Sequence, residues 1–266
     1  MATITSISTQ KRAGRYNVYL DGKFSFAVDE RTLIRFGLSK GMELDQSRID
    51  EIQTDDAHAK ALGQALNYIS HQARTEQQVD RFLMGKDYDE QTSASVIAEL
   101  IDLHYLDDAE YARRFVAESI NKGDRGPRGV RQWLNQRGVS NDDIEEALRD
   151  YDQDQAITVA TQIAEKAFAH PGSKSAHAQT QAVHQKLMQK GFDSEVISIV
   201  LADVQPEEDE EREDTLLREA AEKAWRQKRG VDPFNRGQKV KQQLYRKGFD
   251  LDAIDRVLDE IKGAES

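Results

Sequence analysis

The chain has 266 residues, 32% of them charged, with 37 lysines and arginines against 48 aspartates and glutamates for a net charge of −11. That length calls for several packed units or an array rather than one small core. The mean hydropathy is −0.74, and no run approaches the ~20 apolar residues that span a bilayer. The absence of cysteine excludes disulfides, thiolate zinc sites and cysteine nucleophiles. A pI near 5.1 stands well below the value of about 9 or more expected of a free-standing nucleic-acid binder. The first ten residues carry no secretory pattern, so a soluble cytoplasmic protein is expected.

Strand signals are confined to the start. Tyr16, Val18 and Leu20 alternate up to Asp21-Gly22, and Phe24, Phe26 and Val28 alternate after it, a strong two-residue hairpin pattern. Ile4 to Ser8 adds a third strand, because an isolated hairpin is only marginally stable. Two short helices complete a module over residues 1–55. Its interleaved aromatic and basic residues (Tyr16, Tyr19, Phe24, Phe26, Lys11, Arg12, Arg15, Lys23) allow either a stacking platform for nucleic acid or, as strand formers, a sheet core.

Beyond residue 55 one phrase recurs four times: Val79-x-x-x-Leu83-x-x-Lys86-Asp87, Val130-x-x-x-Leu134-x-x-Arg137-Gly138, Val183-x-x-x-Leu187-x-x-Lys190-Gly191 and Val240-x-x-x-Leu244-x-x-Lys247-Gly248. Valine and leucine four apart share a helical face, the cation suits a helix C-terminus, and glycine supplies the left-handed cap. Asp87 must accept that left-handed conformation itself. Capping candidates Asp89, Ser140, Asp193 and Asp250 then open a further helix carrying apolar pairs such as Val96 and Leu100 or Ile254 and Leu258. Phe115, Phe168 and Trp225 sit fifteen residues upstream on a first helix, with Pro127, Pro171 and Pro233 in the connections. The expected fold is mainly α: tandem three-helix repeats at 56–108, 109–155, 156–205 and 206–266. Four such units stacked would form an elongated array on the order of 80 Å.

Charge is sorted along the repeats. From Lys223 to Lys247 nine cations face one acid, Asp232, while nine acids fall between Glu207 and Glu222 against Arg212 and Arg218, and repeat two repeats the order. Stacked repeats would then show a basic stripe and an acidic one; the alternative is ordinary solvated helix surface. Phosphate-binding loops, dinucleotide fingerprints and H-E-x-x-H are missing, and the six histidines are scattered, His177 and His184 being at best a weak metal signal. No cofactor, metal site or catalytic constellation is expected, so the chain is read as a non-enzyme.

The stretch Leu103-His-Tyr-Leu-Asp-Asp-Ala-Glu-Tyr-Ala-Arg-Arg-Phe-Val116, continuing through Gly126-Pro-Arg128 and Val130 to Gly138, resembles the hallmark of the RecX regulatory proteins, as do Tyr16 to Phe24 and Leu38 to Leu44. Gly129 and Asp87 depart from that family's usual residues. The resemblance implies a bacterial, non-enzymatic modulator of the RecA recombinase that binds the filament groove and suppresses ATP hydrolysis, strand exchange and co-protease activity in recombination and the SOS response. The implied partners are the RecA filament and DNA, single-stranded within the filament and weakly duplex, with no membrane. Candidate contacts are Arg113, Arg114, Arg125, Arg128, Arg131, Arg137, Lys190, Lys239, Lys241 and Lys247, all basic residues of first and second helices or the turns beside them. Tyr105, Leu106, Tyr111 and Phe115 are expected in the core, with Asp107 as a helix cap. Two other classes stay open: a direct DNA binder with helix-turn-helix-like units, and a pure protein-interaction scaffold.

Overall fold

The structure, a computed structural model, describes residues 1–11, 14–206, 209–230 and 232–265, the side chains of 233, 234 and 265 excepted. Arg12 of the basic loop and Glu207 and Glu208 of the acidic run lie outside the described residues. Two compact units are present: Met1–Arg113 with Leu134–Ile144, and Arg114–Trp133 with Glu145–Ser266.

The first unit opens on β1 (Ala2–Thr9), β2 (Arg15–Leu20) and β3 (Lys23–Asp29), followed by α1 (Glu30–Arg35) and a short β4 (Glu43–Leu44). They form an antiparallel sheet of order β3-β2-β1-β4. Leu20 pairs with Lys23 across Asp21 (φ 48) and Gly22 (φ 83), two left-handed residues that make the expected hairpin turn. Register shifts at Thr5 on β1 and Ser25 on β3 curl the sheet about Tyr19. The shift at Ser25 turns Phe24 outward, 58% exposed and edge-on to Tyr19, while Phe26 is buried. The sheet core joins Ile4, Val18, Leu20, Phe26 and Val28 to Leu38, Leu44, Ile49 and Ile52. The two-residue β4 leaves no periodicity to read.

A larger difference from the sequence reading is α2 (Gln46–His71), one helix of 26 residues that crosses position 55 without a break. Where a second short helix and a boundary were expected, the buried Asp56 accepts from Arg15 Nη2 (3.1 Å) and from the Asp29 backbone N–H (2.6 Å), while Asp55 accepts from the Thr32 hydroxyl. These acids bond to the sheet module rather than capping a helix end. Downstream, Ala61 and Ala65 of α2 pack with α3 (Glu76–Met84) and α4 (Glu90–Asp102) around Val79, Leu83, Val96, Leu100 and Leu106. Tyr105 is 60% exposed, not core: His104 (φ 59) turns the chain at the end of α4, and it is Leu106 that points inward.

The remaining helices are α5 (Asp108–Lys122), α6 (Pro127–Asn135), α7 (Asn141–Leu148), α8 (Gln153–Phe168), α9 (Ala176–Gln189), α10 (Ser194–Asp203), α11 (Glu210–Gln227), α12 (Pro233–Arg246) and α13 (Leu251–Glu265), thirteen among the described residues. Each second helix (α3, α6, α9, α12) ends as the phrase requires. In α9 the Gly191 N–H donates to Met188 O (3.0 Å) and the Phe192 N–H to Leu187 O (3.1 Å), the two bonds of a Schellman cap. Gly138, Gly191 and Gly248 have φ between 82 and 86, and Asp87 takes φ 64 in the same place. Asp89, Ser140, Asp193 and Asp250 each accept a backbone N–H at the start of a third helix, and Asp107 accepts from Glu110 N–H. Pro127 and Pro233 occupy first helical positions, where no N–H is needed.

Candidate functional site

The glycines that cap the second helices do more than end them. At Gly191 the N-terminus of α6 lies directly on the cap of α9: the Gly126 N–H donates to Lys190 O (2.8 Å) and the Arg128 N–H to Gly191 O (3.1 Å). A Cβ on Gly191 would come within 2.1 Å of Gly129 N, and one on Gly129 within 2.4 Å of Lys190 O. The same joint recurs where α3 meets the cap of α6, with the Thr75 hydroxyl donating to Arg137 O (2.6 Å), and where α9 meets the cap of α12, with the Ser175 hydroxyl donating to Lys247 O (2.8 Å). In all three the carbonyl belongs to the cation before the glycine, and free donors of one helix start satisfy free acceptors of one helix end. An acid from a first helix completes two of the joints: Asp108 Oδ1 accepts from Glu76 N–H (3.0 Å) and Glu213 Oε2 from Ala176 N–H (3.1 Å). At α6 the corresponding position is Pro127, which has no N–H to satisfy.

These joints sort the ten candidate cations. Arg125, Arg128 and Lys190 gather at the α6–α9 joint, where Lys190 Nζ donates to Asp124 O (2.5 Å) and Arg125 lies over the Phe115 ring, itself stacked on Trp133. Arg125 is also 3.6 Å from Asp124. Arg131 pairs with Glu145 and Lys241 with Asp255 (2.5 Å), the same position-to-position ion pair fourteen residues apart in repeats two and four. Arg113 pairs with Glu110 (3.0 Å), and Arg114 is exposed on α5. Arg137 bonds Tyr111, whose hydroxyl is held above its ordinary range by burial against the lowering effect of that cation. Arg128, Lys239 and Lys247 are exposed and carry no ion pair among the described residues. Part of the charge sorting is thus spent on pairs inside repeats.

Helix starts are poorly suited to phosphate. Those of α3, α6 and α9 are occupied by the joints, and the first turns of α4, α5, α7, α8, α10, α11 and α13 all carry acids. At the α3–α6 joint Glu76, Asp107, Asp108 and Asp143 converge; burial is the main cause that pushes Asp108 up to about 6, with repulsion from the other three adding to it and the Glu76 N–H opposing. Glu76 is raised likewise, by burial and then by Asp143 and Asp107. A buried cation missed from the sequence is Arg236, which donates through Nε (3.0 Å) and Nη2 (2.7 Å) to Trp225 O and lies 4.1 Å over the Trp225 ring. Among the described residues no group of histidines and acids could hold a metal ion, and no helix is long and apolar enough to cross a membrane.

Comparison with known proteins places these elements in a family. The Regulatory protein RecX N-terminal domain matches residues 2–45, and the RecX first and second three-helix domains match 61–100 and 107–148. The RecX third three-helix domain matches twice, at 153–201 and 210–258. The Regulatory protein RecX of Limosilactobacillus reuteri is 41% identical over 259 residues, 97% of this chain and 98% of that protein. The chain belongs to the RecX family. The RecX of Leuconostoc citreum is also 41% identical, over the whole of both chains. A crystal structure of regulatory protein RecX superposes with a TM-score of 0.63 at 38% identity, covering 77% of this chain and all of that one. RecX from Lactobacillus salivarius gives 0.52 at 29%, covering 56% and 97%. The double match of the third RecX domain agrees with the structure: Ser175 and Asp232 cap α9 and α12 eight residues before Val183 and Val240, whereas Thr75 caps α3 four before Val79.

Proposed function

We propose that this RecX-family chain regulates the RecA recombinase, lying in the groove of the RecA–DNA filament and suppressing its ATP hydrolysis, strand exchange and co-protease activity. On this reading it works in bacterial cytoplasm as a non-enzymatic partner of the filament in recombination and the SOS response. The observation that carries the reading is the trio Arg128, Lys239 and Lys247, candidate cations on second helices or in the turn after one that are exposed and have no ion pair among the described residues of an acidic chain. They would meet filament acids and the phosphates of the strand inside the filament, with Arg113, Arg114, Arg125, Arg131, Arg137, Lys190 and Lys241 shaping the surface around them. The acidic first turns would repel bare duplex, so that binding needs the recombinase. Helix-turn-helix readout is disfavoured by the same features, since its recognition helix brings an N-terminus to the bases.

The test is the single-strand-dependent ATPase of a RecA recombinase titrated with this protein and with the Arg128→Glu, Lys239→Glu, Lys247→Glu triple variant. Inhibition by the wild type that is lost in the variant is expected. Each phosphate contact contributes a salt slope of about −0.7 on a single strand, so the variant's log affinity should lose roughly two units of dependence on log salt. Equal inhibition by both proteins, or none by either on verified filaments, would overturn the reading.

A further inference from the structure

A guanidinium over an aromatic ring recurs where a first helix gives way to a second. Arg74 Cζ lies 4.5 Å from the centroid of Tyr68, Arg125 5.5 Å from that of Phe115 and Arg236 4.1 Å from that of Trp225. Repeat three is the exception: its ring is Phe168, at the end of α8, and no cation lies over it among the described residues. Repeats three and four correspond residue by residue here, since Phe168 and Gln179 stand fifteen and four residues before Val183 just as Trp225 and Arg236 stand before Val240. In repeat four Arg236 closes the space itself, donating to Trp225 O and leaving Trp225 only 4% exposed. Gln179 is too short to do the same. Its Nε2 donates to Lys174 O (3.0 Å), which fixes the orientation of the amide, and its Oε1 is left buried with no partner on a residue that is 5% exposed. Phe168 stays half-buried, and a cavity of about 550 Å³ is lined by both side chains.

We propose that this cavity receives an arginine side chain presented by a partner protein, which supplies from outside the guanidinium that repeat four carries in its own sequence. The group would lie against Phe168, where the ring quadrupole attracts a cation, and donate to Gln179 Oε1 and to Phe168 O, the carbonyl that matches Trp225 O. The cavity is of the size that binding pockets ordinarily have. Glu165 lines it as well, exposed and without an ion pair among the described residues, and adds the charge that a cation needs. Arg212 is a lining residue too, but its Nη2 is committed to Gly172 O (2.8 Å) and its backbone N–H to Asp209 Oδ1 (2.9 Å). A planar fork of donors suits arginine here better than the point charge of lysine. The proposal does not depend on the recombinase reading, since the site uses none of the ten basic contacts.

The experiment titrates N-acetyl-arginine amide over the millimolar range into the isotopically labelled full chain, following the Gln179 side-chain amide and the Phe168 backbone N–H by nuclear magnetic resonance. Saturable shifts at both are expected, with much smaller ones from N-acetyl-lysine amide and from N-acetyl-citrulline amide, the neutral isostere. Phe168→Leu keeps an apolar side chain but removes the ring, and it should lose most of the binding. Gln179→Arg fills the cavity as repeat four does, so it should melt higher than wild type and no longer respond to the probe. The absence of saturable shifts in wild type overturns the proposal, as do equal shifts with the citrulline amide or undiminished binding by Phe168→Leu.

Discussion

Replacing Gly191 by alanine is the sharpest probe of the joints. Two costs follow from its position. A β-carbon at φ 86 carries a left-handed penalty of about 1–2 kcal/mol. That same atom would be 2.1 Å from Gly129 N and 2.6 Å from Gly129 Cα, backbone atoms that cannot rotate away, so the α6 start must lift off. Lifting it breaks the bonds to Lys190 O and Gly191 O, at roughly 1 kcal/mol each, for a total near 3–4 kcal/mol. Gly172 is the control: it is left-handed at φ 60 with nothing within 4 Å of a Cβ, so Gly172→Ala should cost only about 1–2 kcal/mol. Gly63 is the opposite control, inside α2 with open space around a Cβ, and Gly63→Ala should gain about 0.5–1 kcal/mol. In thermal melts the midpoints should rank Gly63→Ala, wild type, Gly172→Ala, Gly191→Ala, with the last two about 4–8 °C apart. Equal losses at Gly172 and Gly191 would refute the reasoning, because they would show that the α6 start does not rest on that cap.

Three other outcomes follow from the same geometry. Asp108 holds its proton up to about pH 6 in the folded chain, against 3.8 ordinarily, so the native state binds more protons between those values and its stability falls as pH rises through them; Asp108→Asn, which keeps an acceptor for Glu76 N–H, should overtake wild type in melting temperature as pH is raised from 4 to neutrality, and a constant difference would contradict this. The Arg131–Glu145 and Lys241–Asp255 pairs are partly exposed, so a double-mutant cycle on either should give a small coupling that high salt removes. Tyr151 is buried and its hydroxyl donates to Arg125 O (2.8 Å), so Tyr151→Phe should lower urea stability by about 1–2 kcal/mol through the stranded carbonyl.

Local chemistry was legible in the sequence. The Asp21-Gly22 turn, the four helix caps and the capping acids each depend on a few neighbouring residues, and each stands where the spacing put it. What escaped was decided at long range. The cap glycines read only as left-handed residues, while their role as seats for another helix rests on partners 62 to 72 residues away, such as Thr75 with Arg137 or Ser175 with Lys247. The continuity of α2 was hidden because the bonds that hold Asp55 and Asp56 to the sheet module come from Arg15, Asp29 and Thr32, at least 23 residues away. Tyr105 was misplaced because His104 turns the chain and shifts the inward face by one residue. A signal was available for the ion pairs: Arg131 to Glu145 and Lys241 to Asp255 share a spacing of fourteen, enough to warn that the basic and acidic runs answer each other within a repeat.

The uninterrupted α2 also sets how this molecule can come apart. Its 26 residues make a rod of about 39 Å. Ile49 and Ile52 anchor that rod in the sheet core, and Ala61 and Ala65 anchor it in the core of the first repeat. Neither core can open without fraying a helix that the other still holds, so the curled sheet and the first repeat melt as one cooperative block. A cut between Asp55 and Asp56 would leave each fragment with part of α2 and part of its packing. Dissection of this protein belongs instead on the far side of that block.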